Sequence, residues 1–169
     1  MTLMSERRPS RSERYWAMAA HLTALVTVIA GLVSGGVGAV AALFVPLGMA
    51  LYWRERSPYA AFHALQATVF QAGGAILYIL TAVASALALV LGWLVTAAVS
   101  VALLGLVFLP VAAGLTVLVL LVLAAAPVAG LLWVLRGADQ AFRGQAFEYP
   151  LAGRLAARAL AFEAVPRLR

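Results

Sequence analysis

Two histidines and two glutamines are the side chains best suited to chemistry in the apolar part of this sequence. His21 lies in the first long apolar run, and His63, Gln66 and Gln71 lie at the start of a later one. Imidazole changes its charge near neutral pH and ligates metals, and ionisable groups inside a membrane are costly and usually functional. One interpretation of these residues is therefore a polar site that binds a metal ion or relays a proton.

A structural interpretation of the same residues is stronger. Zinc normally takes three or four protein ligands, and no acidic residue stands near the two imidazoles in the sequence. Hydrogen bonds that tie two helices together, or side chains that reach toward headgroups, explain the pattern without a ligand. We expect no metal and no cofactor. We also expect His21 and His63 to lie at similar depths, near the same ends of two parallel helices.

Groups for covalent catalysis are missing from the apolar part. Ser85 and Ser100 lie there without a lysine, cysteine or carboxylate to activate them. Hydrolysis inside a membrane needs an activated nucleophile or a metal-bound water. We therefore expect that the protein is not an enzyme. Charged rings or paired acids, which mark ion pathways, are also missing from this stretch of the sequence.

The composition indicates that these residues lie on membrane helices. Hydrophobic residues make up 65% of the chain and charged residues 11%, whereas soluble proteins are roughly half apolar and about a quarter charged. All 12 basic residues are arginine, and they cluster at the two ends and in one short loop. Because this distribution follows the positive-inside rule, the net charge of +6 indicates topology and headgroup contact rather than nucleic-acid binding.

The apolar runs predict four transmembrane helices, at residues 16–33, 37–53, about 59–91 and about 111–136. The stretch 57–135 contains no Asp, Glu, Lys or Arg, and at about 20 residues per crossing it holds two or three crossings. Two crossings keep all 12 arginines on one face, which the positive-inside rule favours. The predicted fold is all-α, a polytopic membrane helix bundle with both termini on the cytoplasmic side.

Three parts make up the predicted chain: a polar Arg-rich segment at 1–14, the four-helix transmembrane domain at 15–143, and an amphipathic segment at 144–169. Ser10 and Glu13 have the spacing of a capping box. Pro46 and Pro127 should bend the second and fourth helices. Three paths are open to residues 92–110, which could lie in the outer leaflet, lengthen both neighbouring helices, or dip into the membrane and return.

Residues 151–163 predict an amphipathic helix. Leu151, Leu155 and Phe162 face one way, and Arg154 and Arg158 face another. Such a helix would lie in the inner interface against anionic lipid. A solvated tail is the alternative, since short helices are marginal on their own.

Small residues recur at spacings typical of contacts between membrane helices. They let two backbones approach closely, which favours helix packing in a membrane, where no hydrophobic driving force brings the helices together. The residues with this predicted role are Gly31, Gly35, Gly73, Gly74, Ala82, Ala86, Ala126 and Gly130.

Three short blocks resemble one protein family. They are RYWAMAAHLTAL at 14–25, SPYAAFHALQATVFQ at 57–71 and GQAFEYPL at 144–151. They are similar to bacterial four-helix membrane proteins of unknown function related to the twenty-kilodalton inner-envelope subunit of the chloroplast protein-import translocon. The motif positions are Trp16, Phe62, Ala64, Ala67, Phe70, Tyr149 and Pro150. The resemblance implies four helices with both ends on one side, and a part in protein translocation or membrane-complex assembly.

The functional expectation is a non-enzymatic protein of the bacterial cytoplasmic membrane that crosses it several times. It would act by helix–helix association, as a subunit or assembly factor of a membrane complex or as a homo-oligomer. Its partners would be the lipid bilayer and other membrane proteins, with no nucleic acid. The alternative is a small transporter or channel whose polar lining includes His21, His63 and Gln66.

Overall fold

The computed structural model describes residues 8–101 and 105–164, and these form six helices without a strand. The predicted all-α class is confirmed. The helices are α1 (Arg11–Val33), α2 (Val37–Ala42), α3 (Phe44–Trp53), α4 (Pro58–Ser100), α5 (Gly105–Phe142) and α6 (Ala152–Ala164).

The start of α1 is a capping box, as the sequence predicts. The Ser10 hydroxyl accepts a hydrogen bond from the Glu13 backbone N–H (3.3 Å), and the Glu13 carboxylate accepts one from the Ser10 N–H (2.7 Å). These bonds satisfy two backbone donors that a helix start leaves without intrahelical partners. The helix ends at Val33 with Ser34 as its C-cap, and Gly35 and Gly36 turn the chain with φ of 63° and 100°, a conformation that glycine adopts at little cost.

The predicted second helix is divided in two at Leu43, which separates α2 from α3. Pro46, three residues later, is the physical reason. It has no N–H to donate to the carbonyl of Ala42, and its ring would clash with that carbonyl in a continuous helix. At the third position of α3, proline is tolerated because that N–H has no partner within the helix.

Helices α4 and α5 are longer than predicted. The predicted ends at 91 and 111 are wrong: α4 continues to Ser100 and α5 begins at Gly105, so most of residues 92–110 lengthens the two helices. Gly92 and Pro110 do not end a helix here. A helical glycine costs only about 1 kcal/mol, and in an apolar medium the backbone retains its internal hydrogen bonds. Pro110 and Pro127 both lie inside α5.

Within the part of the chain that the structure describes, three helical stretches are long and apolar enough to cross a membrane: Arg11–Val33, Pro58–Ser100 and Val107–Phe142. The remaining predicted crossing corresponds to Val37–Trp53, a shorter apolar stretch. The count of four crossings and the side on which the termini lie stay predictions.

The chain divides into two compact units. The described part of unit 1 comprises residues 8–73 and 131–164, and unit 2 comprises residues 74–130. In unit 1, α2 and α3 pack antiparallel to α1: a Cβ on Gly31 would meet that of Ala39 at 3.1 Å, and the rings of Trp16 and Trp53 lie 6.0 Å apart. Small residues form much of this core, namely Ala20, Ala50, Ala64 and Ala67, so the helices approach closely.

Unit 2 contains the later part of α4 and the earlier part of α5. The Trp93 indole donates a hydrogen bond to the Thr116 hydroxyl (3.0 Å), which joins the two helices. Thr96 and Ala112 are buried, whereas most of the large apolar side chains that the structure describes in this unit are exposed. Its surface is therefore suited to lipid or to other apolar helices.

Candidate functional site

Four buried side chains from three parts of unit 1 form one hydrogen-bonded cluster, which we call the His–Tyr cluster: His21, His63, Gln66 and Tyr149. Nε2 of His21 lies 3.0 Å from Nδ1 of His63, and Nδ1 of His21 lies 2.9 Å from the Tyr149 hydroxyl. Gln66 Nε2 lies 3.1 Å from the same Nδ1 of His63. All four side chains are buried, so each depends on the others for its hydrogen bonds.

Gln66 also holds the backbone between α5 and α6. Its amide N–H donates to the carbonyl of Phe147 (2.8 Å), and its carbonyl accepts from the backbone N–H of Tyr149 (3.2 Å). These two bonds fix the orientation of the amide, because the reverse orientation would oppose donor to donor and acceptor to acceptor. They also satisfy non-helical backbone in an apolar region, where an unpaired group is costly.

The orientation of Gln66 assigns the histidine tautomers. Its second amide hydrogen points at Nδ1 of His63, so that nitrogen accepts and His63 carries its proton on Nε2. His21 also donates from Nε2 to Nδ1 of His63, so the single lone pair of that nitrogen is shared between two donors, and His21 accepts at its own Nδ1 from Tyr149. Burial raises the pKa of Tyr149, so its hydroxyl stays protonated and available as this donor.

One end of the cluster is incomplete. Nε2 of His63 is buried and has no hydrogen-bond partner among the residues that the structure describes. A buried donor without a partner costs about 1–3 kcal/mol. The Nε2–H of His63 is therefore the one position of the His–Tyr cluster that could give a hydrogen bond to a further group.

A second polar group joins α1 and α4 further along. Gln71 Nε2 donates to the Thr23 hydroxyl (2.9 Å), and the Thr27 hydroxyl donates to Gln71 Oε1 (2.8 Å). His21 of α1 contacts His63 of α4, and further along both helices Thr23 and Thr27 contact Gln71. The two helices therefore run parallel, as the sequence analysis expects.

The segment 143–151, which we call the linker, reaches the His–Tyr cluster because glycines give it room. A Cβ on Gly137 of α5 would lie 2.8 Å from the Phe147 ring and 3.1 Å from Nδ1 of His21. The Tyr149 ring stacks on that of Phe70, with centroids 4.0 Å apart. Leu151 has a φ of 65°, which is strained for leucine and turns the chain into α6.

The predicted polar residues and motif residues have clear positions. His21, His63, Gln66 and Gln71 are all buried in unit 1, with His21, His63 and Gln66 in one cluster and Gln71 in the neighbouring polar group. Among the motif positions, Phe62, Ala64, Ala67 and Tyr149 are buried, Phe70 is half-buried, and Trp16 and Pro150 are exposed.

The small residues have varied surroundings. Gly31 packs on α2 and Gly35 lies in the turn after α1. A Cβ on Gly73, Gly74 or Gly130 would meet no atom within 4 Å. Ala86 and Ala126 are exposed, and Ala82 is half-buried.

Several residues of the site were missed by sequence reasoning. Thr23 and Thr27 stand four apart in an otherwise apolar helix, a spacing that places them on one face and could have identified them. Tyr149 was noted only as a motif residue. Its partner His21 is 128 residues away, and no local pattern shows that contact. Gly137 carries no signal of its role.

The chemistry of the donor set does not favour a metal ion. The described residues contain no group of three or more His, Cys, Asp or Glu side chains that could hold one. Nδ1 of His63 and both nitrogens of His21 are engaged in hydrogen bonds, and the remaining Nε2 of His63 bears a proton by the tautomer assignment. The arrangement is suited to holding helices and the linker together.

Fold and site together define a helical membrane protein whose polar side chains bind one another across helices. The chain belongs to the MamF/MmsF family, the magnetosome magnetite crystal formation protein family, whose model matches residues 12–156. The match covers both units and the His–Tyr cluster. No curated protein and no solved structure matches the chain. The expected bacterial membrane family is thus supported, but no link to the chloroplast translocon subunit is found.

Proposed function

We propose that this protein is a non-enzymatic, multi-pass protein of the magnetosome membrane that acts in magnetite crystal formation by helix–helix association. It would be a subunit or assembly factor of a membrane complex, or a homo-oligomer. The observation that carries the proposal is the buried His–Tyr cluster, whose side chains bond to one another and to the linker, within a chain of this family. Protein translocation is not part of it, because the matched family is not a translocon family.

Burial of the polar groups supports a non-enzymatic role. The imidazoles of His21 and His63, the amide of Gln66 and the hydroxyl of Tyr149 are buried and engage one another or the linker backbone. A catalytic side chain must come within hydrogen-bond reach of its substrate. These groups are better suited to fixing helix positions.

The exposed surface of unit 2 supports association within a membrane. Residues 74–130 contain no charged residue, and their exposed side chains include Leu77, Leu87, Leu94 and Leu121. Such a surface can meet only lipid or other apolar helices without a large cost.

Helix directions in unit 1 support four crossings with both ends on the cytoplasmic side. α1 and α4 run parallel, and α2 with α3 returns between them. The end of α5 meets the starts of α1 and α4, since the rings of Tyr15 and Phe142 lie 5.4 Å apart and the Tyr59 hydroxyl donates to the Ala141 carbonyl (2.8 Å). The arginines near these ends fit the inner face.

The proposal is tested in a magnetosome-forming bacterium that lacks its own family members. The chain is expressed there with a fluorescent tag, and crystal dimensions are measured by electron microscopy. We expect the tag to accompany isolated magnetosomes and the crystals to regain normal size, and Ser85→Ala with Ser100→Ala to be equally effective. Crystals unchanged by the chain, or loss of the effect in the serine variant, would contradict the proposal.

A small transporter or channel is a second candidate, which the unpaired Nε2–H of His63 favours. Tyr149, His21 and His63 form a continuous chain of hydrogen bonds that could pass a proton. The purified protein in liposomes with a pH-sensitive dye provides the test. Flux that disappears in His63→Ala would support this role, and flux unchanged in His21→Ala and His63→Ala would exclude these histidines as its lining.

A further inference from the structure

Leu151, which directly precedes α6, lies on one exposed face with Arg154, Leu155 and Arg158 of the helix, and we call this face the α6 surface. The expectation that the leucines and the arginines face different ways is wrong, because residues three and four apart share one side of a helix. Leu151 is 66% exposed and Leu155 is 52% exposed, and both arginines are exposed as well. No described side chain forms a hydrogen bond or ion pair with Arg154 or Arg158. Exposed leucines beside arginines that lack a partner among the described side chains indicate an external partner that is both apolar and anionic.

Other arginines at this end of unit 1 already have partners within the chain. Arg11 stacks on Tyr15 (5.5 Å), Arg56 on Tyr52 (4.0 Å) and Arg136 on Trp133 (6.0 Å). Arg143 forms an ion pair with Asp139 (3.0 Å). The two arginines of the α6 surface differ from these four in having no hydrogen-bond, ion-pair or ring partner among the side chains that the structure describes.

The opposite face of α6 is fixed against the protein. Ala152, Gly153 and Ala156 are buried there. A Cβ on Gly153 would lie 2.9 Å from that of Glu148 and 3.3 Å from Oε1 of Gln66. The helix is thus held in one orientation, with the α6 surface facing outward.

The stacked arginines also locate the level of the membrane interface. Arg–aromatic pairs occur at the start of α1, the end of α3 and the later part of α5, where interfacial aromatic residues are expected. His21 lies six residues beyond Tyr15, or about 9 Å further along α1. Because Tyr149 bonds to His21, α6 begins three residues from a contact at this end of α1.

We propose that the α6 surface binds the headgroups of anionic phospholipids. The guanidinium groups of Arg154 and Arg158 donate to phosphate oxygens, which match their fork geometry. Leu151 and Leu155 enter the upper acyl region beside them. This surface does not depend on the role in crystal formation and would operate in any anionic bilayer.

Lipid preference is measured with the full chain in nanodiscs, using spin-labelled phosphatidylglycerol and phosphatidylcholine. We expect the wild-type protein to retain the anionic lipid, and R154Q/R158Q to lose about fivefold or more of that preference. R11Q/R143Q is the matched control, because it removes two charges that already have partners, and it should change the preference less than twofold. Equal retention of both lipids by the wild type would overturn the proposal. The partner of the α6 surface would then be an acidic protein rather than a lipid.

A depth measurement is independent of the arginine variants. The chain has no cysteine, so Leu155→Cys carries a single nitroxide in an otherwise label-free protein. In phosphatidylglycerol nanodiscs, we expect relaxation of this label by oxygen to exceed relaxation by a water-soluble nickel complex. A label at 155 that relaxes mainly with the nickel complex would place the α6 surface in water and overturn the proposal.

Discussion

Units 1 and 2 have similarly apolar helices but use their polar side chains differently. In unit 1, His21, His63, Gln66 and Tyr149 bond across elements that are far apart in the sequence. In unit 2, Thr96 and Thr116 bond to backbone carbonyls of their own helices, and the one hydrogen bond between described side chains of α4 and α5 joins Trp93 to Thr116. Polar contacts therefore specify neighbours in unit 1, whereas unit 2 presents an apolar surface.

The difference shows how a very apolar chain can specify one arrangement. Lipid is as apolar as leucine, so apolar contact alone discriminates weakly between helix neighbours. A buried hydrogen-bonding group that loses its partner costs about 1–3 kcal/mol, which penalises incorrect arrangements. The following variants test whether unit 1 depends on such groups and unit 2 does not.

Replacing Gln66 by leucine should have the largest effect. The carbonyl of Phe147 and the N–H of Tyr149 would both lose their partner, at about 1–3 kcal/mol each. We expect the free energy of unfolding in mixed detergent micelles to fall by about 2–6 kcal/mol. Gln145→Leu is the control, because residue 145 is exposed. Equal effects of the two variants would show that Gln66 does not hold the linker.

Gly137→Ala should follow, because its new Cβ would lie 2.8 Å from the Phe147 ring. Overpacking of this kind costs about 1–3 kcal/mol. Gly130→Ala on the same helix meets no atom within 4 Å and should be neutral or stabilising by up to about 1 kcal/mol. Thermal unfolding followed by circular dichroism measures both, and a Gly137→Ala protein as stable as the wild type would contradict the close packing.

Tyr149→Phe removes the donor to Nδ1 of His21 and should cost about 1–3 kcal/mol, because a buried acceptor is left unsatisfied. Tyr78→Phe in unit 2 is the control, since Tyr78 is exposed. We expect that variant to unfold within about 0.5 kcal/mol of the wild type.

Alkaline pH gives a second test of Tyr149. Burial raises the pKa of Tyr149 in the folded protein, so above its usual pKa of about 10 the unfolded chain loses this proton first. The stabilising contribution is therefore complete below pH of about 10 and is lost as the pH rises further. A titration of unfolding free energy should fall less steeply in Tyr149→Phe, and identical slopes would contradict burial of the hydroxyl.

Ser10→Ala should have the smallest effect, because it removes one capping hydrogen bond at the start of α1. A lost N-cap typically costs about 1 kcal/mol. Ser12→Ala, within the first turn, is the matched control and should be neutral. Hydrogen exchange of the first turn of α1 measures the effect, and equal protection in the two variants would exclude a capping role.

The sequence was sufficient for the parallel arrangement of α1 and α4 and the similar depth of His21 and His63, because both follow from helix periodicity and crossing direction. The capping box at Ser10 also follows from local spacing. These features depend on residues close together in the chain, or on rules that act on each helix separately.

Other features could not be predicted in this way. Tyr149 reaches His21 through a non-helical linker whose path depends on the tertiary positions of Gly137 and Gln66. The ends of α4 and α5 were misplaced because Gly92 and Pro110 act as boundaries in water but are tolerated in an apolar helix. Spacing likewise predicts helix contacts at Gly73 and Gly74, whereas a Cβ at either position would meet no atom within 4 Å.

Nitrogen-15 NMR of the full chain in nanodiscs, labelled only at histidine, tests the central claim most directly. The chain has 2 histidines, so each signal is assigned by one variant, His21→Gln or His63→Gln. The His–Tyr cluster predicts that both imidazoles are neutral with the proton on Nε2, and that a coupling crosses the hydrogen bond from Nε2 of His21 to Nδ1 of His63. Imidazole N–H protons that exchange rapidly with water, or a proton on Nδ1 of His63, would contradict the His–Tyr cluster.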